Sequence, residues 1–361
     1  MFEDVTLGQA RLMCGSAEDV LPTLEAASVQ LILVDPPYYR TKLTYQGQSL
    51  AWDRQWKDRA AYLAWLHALA QEWRRILTPN GSLYCFASPE MAAYVEVELS
   101  KTFAIIQRIT WRKPPFSTKA EMFNKDAIRM YFPASEAIIF AEQYASDEYA
   151  LGESGYHAAE QALKTSLFRQ PILEAMQGTC TTAKQVTEAI GAYGKVNHGG
   201  AVSNWIQGYN IPTKAQYEAM RAFFNGYNGR TDYLRQEYED LRQEYEDLRR
   251  PFTLSQHVPY TDVWSDFPTV PAGKDKHPCE KPLPLLRHMI QASSRPGDTV
   301  LDCCAGSFST AEAAKQCGRA SISIEQAPSW WRAGQRRLSQ ETLFTATTVV
   351  KTPSPQQLTL T

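Results

Sequence analysis

The sequence predicts an α/β fold, a mostly parallel and buried sheet with helices between its strands. Two apolar segments of strand length carry this reading, together with helix-period segments between such strands. Leu31-Ile32-Leu33-Val34 is apolar at every position and stops at Asp35-Pro36-Pro37-Tyr38. Such a run reads as a strand buried on both faces that delivers its next residues to the carboxyl edge of a sheet. Thr299-Val300-Leu301-Asp302 is a second short strand, running into Cys303-Cys304-Ala305-Gly306-Ser307. Between such strands lie segments of helical period. Ala60 to Leu77 is the clearest, with Leu63, Leu66, Leu69, Trp73, Ile76 and Leu77 spaced for one face and Pro79-Asn80-Gly81 as its end signal.

The Asp35-Pro36-Pro37-Tyr38 turn is the chemically distinctive part. Neither proline can donate a backbone hydrogen bond, and Asp35, preceding Pro36, is pushed out of helical space, so the turn is stiff. A carboxylate, free carbonyls and an aromatic face then sit together at the edge where α/β proteins keep their chemistry. They suit a planar, amino-bearing ring such as a flipped-out adenine or cytosine, with Asp35 and the Pro36 carbonyl accepting from its NH2 and Tyr38 stacking on it. An ordinary turn, with Asp35 as a cap and Tyr38 in the core, is the alternative.

A distant stretch bears on the choice. It comprises Lys276-His277-Pro278-Cys279-Glu280-Lys281-Pro282, a helical run to Ser294, Pro296-Gly297-Asp298 leading into the Thr299 strand, and Ser321-Ile322-Ser323-Ile324-Glu325. With Asp35 to Tyr38 ahead of it, the arrangement closely resembles the β-class DNA amino-methyltransferases, the circularly permuted group whose catalytic tetrapeptide precedes the S-adenosylmethionine loop. The resemblance covers most of the chain outside residues 145–257.

It implies a Rossmann-like class I methyltransferase fold: a seven-stranded, mostly parallel sheet, permuted, with an inserted helical target-recognition domain. It implies catalysis by Asp35, Pro36, Pro37 and Tyr38, and S-adenosyl-L-methionine as cofactor. Cofactor contacts carry over to Ser16, whose hydroxyl would bond the adenine, and to Asp35, His277, Lys281, Asp302, Cys304, Ala305, Gly306, Ser307 and Glu325. The glycine turn lets the backbone approach a ligand, and Glu325 is placed for the ribose hydroxyls. Adenine N6 is favoured over cytosine N4 because an aspartate opens the tetrapeptide. DNA is the implied partner, in a bacterial or phage-infected cell, and the resemblance leaves room for a homodimer and a cognate restriction endonuclease. Three positions depart from the family pattern. Ser16 stands where an aspartate usually holds the cofactor's adenine, Cys304 where a phenylalanine is usual, and Phe308 where a glycine is usual. A catalytically silent DNA-binding regulator is the alternative these departures support.

In chain order, Ala10 to Cys14 reads as a strand ended by Gly15-Ser16, and Glu18 to Leu24 as a short helix. After Tyr38 comes a polar loop to Lys57 carrying Trp52, Trp56, Arg40, Lys42 and Arg54, read either as a lid or as a loop anchored by its tryptophans. Ser82 to Phe86, Phe103 to Trp111 and Ala137 to Glu142 read as strands, with a helix over Glu90 to Leu99. From Arg108 to Arg129 the chain is locally basic, with Arg112, Lys113 and Lys119 as candidate contacts to DNA phosphates; a solvated loop is the alternative.

The domain reading is 1–144 for the catalytic half, 145–257 for the insertion, 258–340 for the cofactor half and 341–361 for a tail. Within the insertion, helices over Thr182 to Ile190 and Val202 to Gln207 flank a glycine-rich turn, resembling a helix-turn-helix, with Lys195 and Asn204 as candidate DNA contacts. A helical spacer is the other reading. Leu234 to Asp247 is a tandem heptad, read within 233–250 as a charged helical strut and less readily as a dimer contact.

Composition bounds the rest. With 361 residues and 44% hydrophobic content the chain can bury a core and an inserted module, and a net charge of −2 confines any DNA contact to local patches. Seven cysteines without Cys-x-x-Cys spacing imply a reducing cytoplasm and no zinc site. No export signal and no membrane span are expected.

Overall fold

The computed structural model of the chain describes residues 2–41, 44–45, 48–114, 131, 133–143, 156–192, 200–227, 232–248, 250–253, 261–271, 273 and 276–340. Strands β1 (Glu3–Leu7) and β2 (Ala10–Cys14) form a hairpin turned at Gly8. Helix α1 (Ala17–Val20) follows, then β3 (Val29–Val34) and a small hairpin of β4 (Thr44–Tyr45) and β5 (Gln48–Ser49). Next come α2 (Arg59–Ile76), β6 (Leu77–Ala87), α3 (Ala92–Leu99), β7 (Ala104–Arg112) and β8 (Ser135–Glu142).

The insertion contributes α4 (Tyr156–Lys164), α5 (Gln170–Thr179), α6 (Ala183–Ala189), α7 (Gly200–Ile206), α8 (Lys214–Tyr227) and α9 (Tyr238–Leu248). The chain closes with β9 (Val263–Trp264), α10 (Leu283–Ser293), β10 (Thr299–Asp302), α11 (Ser309–Gln316), β11 (Ala320–Glu325) and α12 (Pro328–Ser339).

The sheet runs β1-β2-β11-β10-β3-β6-β8-β7-β9. From β2 to β7 it holds the seven expected strands, of which only β8 runs against the others. Two short edge strands, β1 and β9, bring the total to nine. Strand β3 shows why its run is apolar throughout. Ile32 and Val34 face a core under α2 and α3 with Leu66, Trp73 and Val95, whereas Leu31 and Leu33 face a second core with Leu286 and Met289 of α10 and Ala313 of α11. Alternate side chains point to opposite faces, and both faces are covered.

Helix α2 begins where Asp58 Oδ1 accepts from the Ala61 N–H at 2.8 Å, which satisfies one of the orphan donors of its first turn. Its end differs from the sequence reading: Pro79-Asn80-Gly81 lies within β6. Val29 pairs with Leu77 and Leu31 with Ser82, so residues 78–81 bulge from the ladder, where a proline is tolerated. Among the described residues no helix is long and apolar enough to cross a membrane.

Phe308 sits just before α11 with φ +60°, a conformation that favours glycine. Its ring is wholly buried against Ala10, Leu12, Ala311 and Trp331. Gly334 on α12 faces the ring so closely that a Cβ there would overlap it.

The insertion has its own core, in which Phe168, Ile172, Val202, Trp205, Tyr217, Met220 and Phe224 meet Leu234, Tyr238, Leu241 and Tyr245. The heptad tract is therefore not a free-standing strut. Leu234 lies in the left-handed region at φ +50°, and the helix begins only at Tyr238. Two side chains of α8 hold the first repeat out of helix: Arg221 Nε donates to the Leu234 carbonyl at 2.9 Å, and the Tyr217 hydroxyl donates to that of Gln236 at 3.0 Å. The apolar seam faces inward, with the Tyr238 hydroxyl donating to the Pro212 carbonyl at 2.7 Å. That leaves the seam unavailable to a second copy.

Arg221→Met should free the Leu234 carbonyl, leave that of Gln236 to Tyr217 alone, and cost about 1–3 kcal/mol. Faster amide hydrogen exchange over residues 232–241, with little change in the sheet, is the expected reading.

Candidate active site

Strands β3 and β10 lie side by side and parallel, pairing Leu31 with Val300 and Ile32 with Leu301. The turns that follow them, from Asp35 and from Asp302, therefore leave the same edge as neighbours. A cleft opens between them.

On the β3 side, Asp35 Oδ2 accepts from Lys281 Nζ at 2.6 Å, while Asp35 Oδ1 is buried without a hydrogen-bond partner. Lys281 Nζ also donates to the Tyr38 hydroxyl at 3.1 Å and lies 3.3 Å from Glu136 Oε2. The Tyr38 hydroxyl in turn donates to Glu136 Oε2 at 3.0 Å, and Lys113 closes the network on Glu136 Oε1.

Charge states follow from this packing. Burial pushes the Asp35 carboxyl above the usual carboxylate range, against the pull of Lys281. Burial would also raise Glu136, but Lys281 and Lys113 outweigh it and hold that carboxyl at about 2. Burial would lower the Lys281 ammonium, yet Asp35 and Glu136 keep it above its ordinary value and charged. Burial, then Asp35 and Glu136, push Tyr38 well up, so it remains a neutral phenol.

On the β10 side, Asp302 Oδ1 accepts from the Cys304 N–H at 3.0 Å, and burial raises this carboxyl to about 7 despite hydrogen bonds from Thr310 and Cys304. Glu325 spans two turns, its Oε2 accepting from Gly306 N–H and its Oε1 from Ala327 N–H, both at 2.8 Å. Gly306 has φ +48°, and a Cβ there would stand 2.9 Å from His277 Cε1, so the wall closes only over a bare backbone. The His277 ring stacks on Trp52 with centroids 6.4 Å apart and meets Trp330 edge-on at 4.9 Å. Burial, then Lys281, push its pKa down to about 4, so the imidazole is neutral.

The residues singled out in the sequence thus converge unevenly. Asp35, Pro36, Pro37, Tyr38, His277, Lys281, Asp302, Cys304, Ala305, Gly306, Ser307 and Glu325 all line the cleft. Ser16 does not: its hydroxyl donates to Asp19 Oδ2 at 2.8 Å and accepts from the Asp19 N–H at 3.2 Å as the cap of α1. Its neighbours Gly15, Ala17 and Glu18 line the cleft instead. Arg112 is exposed at the end of β7, whereas Lys113 turns inward to Glu136. Asn204 is half-buried on α7. Lys119, Lys195 and the tail 341–361 lie outside the described residues, as does most of the basic loop beyond Pro114.

Within the Tyr39 to Lys57 loop the two tryptophans differ. Trp52 faces the cleft, and Trp56 is buried against Tyr62 and Trp65 as an anchor. Sequence reasoning missed Glu136, whose one signal is a carboxylate directly before the apolar run Ala137 to Ala141 of the Ser135–Glu142 strand. It also missed Asp53 and Trp330, which carry no motif.

The DNA methylase family of the N6/N4 type matches residues 29–335. The chain belongs to this family. A DNA adenine methyltransferase of Escherichia coli strain K12, YhdJ, is 27% identical over 340 residues, spanning 93% of this chain and 85% of that one. The type II methyltransferase M2.DpnII of Streptococcus pneumoniae is 38% identical over 82 residues, 22% of this chain and 31% of that one. The PvuII DNA methyltransferase, cytosine-N4-specific, shares the fold at a TM-score of 0.50 and 14% identity, covering 92% of this chain and 87% of that one.

This DNA methyltransferase uses S-adenosylmethionine, the methyl donor of its family. The cleft fits that donor. It offers a buried carboxylate oxygen without a partner, further carboxylates for ammonium and hydroxyl donors, and a backbone approach at Gly306 that a side chain would block.

Glu136→Gln keeps a neutral acceptor for Tyr38 but removes the charge between two lysines. With a folded pKa of about 2 against an ordinary 4.5, the stabilisation from Glu136 is complete above pH 4.5 and is lost as pH falls toward 2. Urea unfolding should show a gap of about 2–4 kcal/mol between wild type and variant at pH 7, shrinking below pH 4.5.

Proposed function

We propose that the enzyme methylates adenine N6 of a base turned out of the DNA duplex, with Asp35 to Tyr38 as the catalytic turn. The observation that carries this reading is the buried, unpartnered Asp35 Oδ1 beside Pro36 and Tyr38 in the cleft. A buried acceptor without a donor costs about 1–3 kcal/mol, and an exocyclic amino group supplies the missing N–H.

Lys281 occupies Oδ2 and leaves Oδ1 for the incoming amine, so its charge and the acceptor are both kept in use. Tyr38, neutral and held by Glu136 and Lys281, presents its ring for stacking on the base. The exocyclic nitrogen's lone pair is drawn into the base ring, so orienting that nitrogen and accepting its hydrogens is the main need. Asp35 Oδ1, with its raised affinity for a proton, is the atom placed to take the proton that the nitrogen sheds. S-adenosylmethionine supplies an electrophilic methyl group on a sulfonium. Asp302, Cys304, Ala305, Gly306 and Ser307 would hold it with Glu325, and His277 and Lys281 would close one wall.

Adenine is preferred over cytosine because an aspartate opens the tetrapeptide, and the relative that spans 93% of this chain is a DNA adenine methyltransferase. Phe308 does not argue for a silent regulator, since its ring points into the core under α12 rather than into the cleft. DNA selectivity is assigned to the insertion, with Asn204 and Lys195 as contacts, supported by Arg112 and Lys119 at the basic loop. Lys113 is withdrawn from the phosphate contacts because its ammonium is committed to Glu136.

Methylated DNA hydrolysed to nucleosides should contain N6-methyladenine; N4-methylcytosine in its place would overturn the base assignment. Asp35→Ala should lower turnover by at least about 10- to 100-fold while donor binding persists, since a charge-assisted hydrogen bond is worth ~1.5–3 kcal/mol. Undiminished turnover would refute the role of the turn.

A further inference from the structure

The loop that leaves Tyr38 is clasped by Asp53. The Arg40 N–H donates to the Asp53 carbonyl at 2.8 Å, and Thr41 donates to Asp53 Oδ2 through its N–H at 2.5 Å and its hydroxyl at 2.8 Å. The clasp uses one carboxylate oxygen. The other, Oδ1, is buried with no hydrogen-bond partner, in a residue only 1% exposed that lines the cleft. Enclosing such an oxygen without a donor is unfavourable by about 1–3 kcal/mol or more, and a loop closure alone does not require it.

Among the described residues no group donates to Asp53 Oδ1. The neutral His277 imidazole accepts at Nδ1 from the Cys279 N–H at 3.3 Å, and its remaining proton, on Nε2, makes no bond to Asp53. Lys281 is committed to Asp35 and Glu136. Asp35 and Asp53 therefore each hold one unpartnered oxygen in the lining of the same cleft.

We propose that Asp53 Oδ1 is a second amine acceptor of the active site, taking an N–H either from the ammonium of the methyl donor or from the exocyclic amino group of the target base. This rests on the reading of the cleft as the methyl-transfer site. Two amine-bearing reactants must meet there, and together they bring more N–H groups than Asp35 Oδ1 can accept.

Asp53→Asn separates the two oxygens. Its amide oxygen can still accept from Thr41, because the Thr41 N–H can be satisfied only by an acceptor, and this places an NH2 where Oδ1 was. In the full-length protein, calorimetric titration with S-adenosylmethionine and steady-state kinetics with DNA should show one loss of about 10- to 100-fold. A weaker donor Kd with DNA KM unchanged assigns the ammonium. An unchanged donor Kd with lower kcat/KM for DNA assigns the base. Wild-type values in both assays overturn the proposal. Thr41→Val loosens the clasp but leaves the free oxygen, so an equal loss in that variant also overturns it. Asp35→Ala distinguishes the underlying reading: if it stays active, the cleft has been misread, whereas an inactive Asp35→Ala with a wild-type-like Asp53→Asn removes Asp53 alone.

Discussion

The parallel pairing of β3 with β10 is the constraint on which the site depends. Helices connected to β3 cover one face of the sheet and those flanking β10 cover the other, so the loops after the two strands diverge and leave a crevice. Everything that touches a ligand hangs from that divergence. Asp35 and Tyr38 leave one strand, Asp302 and Gly306 leave the other, and Glu325 reaches across from β11 to fasten the second loop by its backbone. Because the two strands are 265 residues apart in the chain, from Val34 to Thr299, the site exists only once the sheet has paired them.

Once the crevice exists, the Lys281 ammonium organises its electrostatics. A cation in a buried position is tolerable only when paired and hydrogen-bonded, and Lys281 has Asp35, Glu136 and the Tyr38 hydroxyl around it. It joins the C-terminal segment to the catalytic turn and to β8 at one atom. Lys113 supplies a second positive charge to Glu136, so the four charged groups balance, and the single oxygen left over on Asp35 is free for chemistry.

Much of this was legible in the sequence because it depends on local pattern. Apolar strands, proline-stiffened and glycine-bearing turns, and helix periodicity place Asp35 to Tyr38, Asp302 to Ser307 and Glu325 correctly at one sheet edge. What escaped depends on tertiary neighbours. Glu136 is unremarked in sequence because its partners Tyr38, Lys113 and Lys281 come from three separate segments. Lys113 reads as one more basic-loop charge until Glu136 turns it inward. The heptad repeat misleads for a related reason: its local helical pairs are real, but Arg221 and Tyr217 offer the carbonyls of Leu234 and Gln236 better partners than a further helical turn would. Ser16 was read by its place after a strand, whereas its hydroxyl serves the helix that follows.

Phe308 and Gly334 also set a limit on how this loop can diverge among related chains. A smaller residue at 308 would vacate the space the ring fills, and a larger one at 334 would strike the ring, so each position tolerates change only in the company of the other. The two form a lock between a cofactor-side loop and the last described helix. A lineage that acquires the aromatic residue would have to hold or gain the glycine first. Changing either residue alone would act through folding rather than through catalysis.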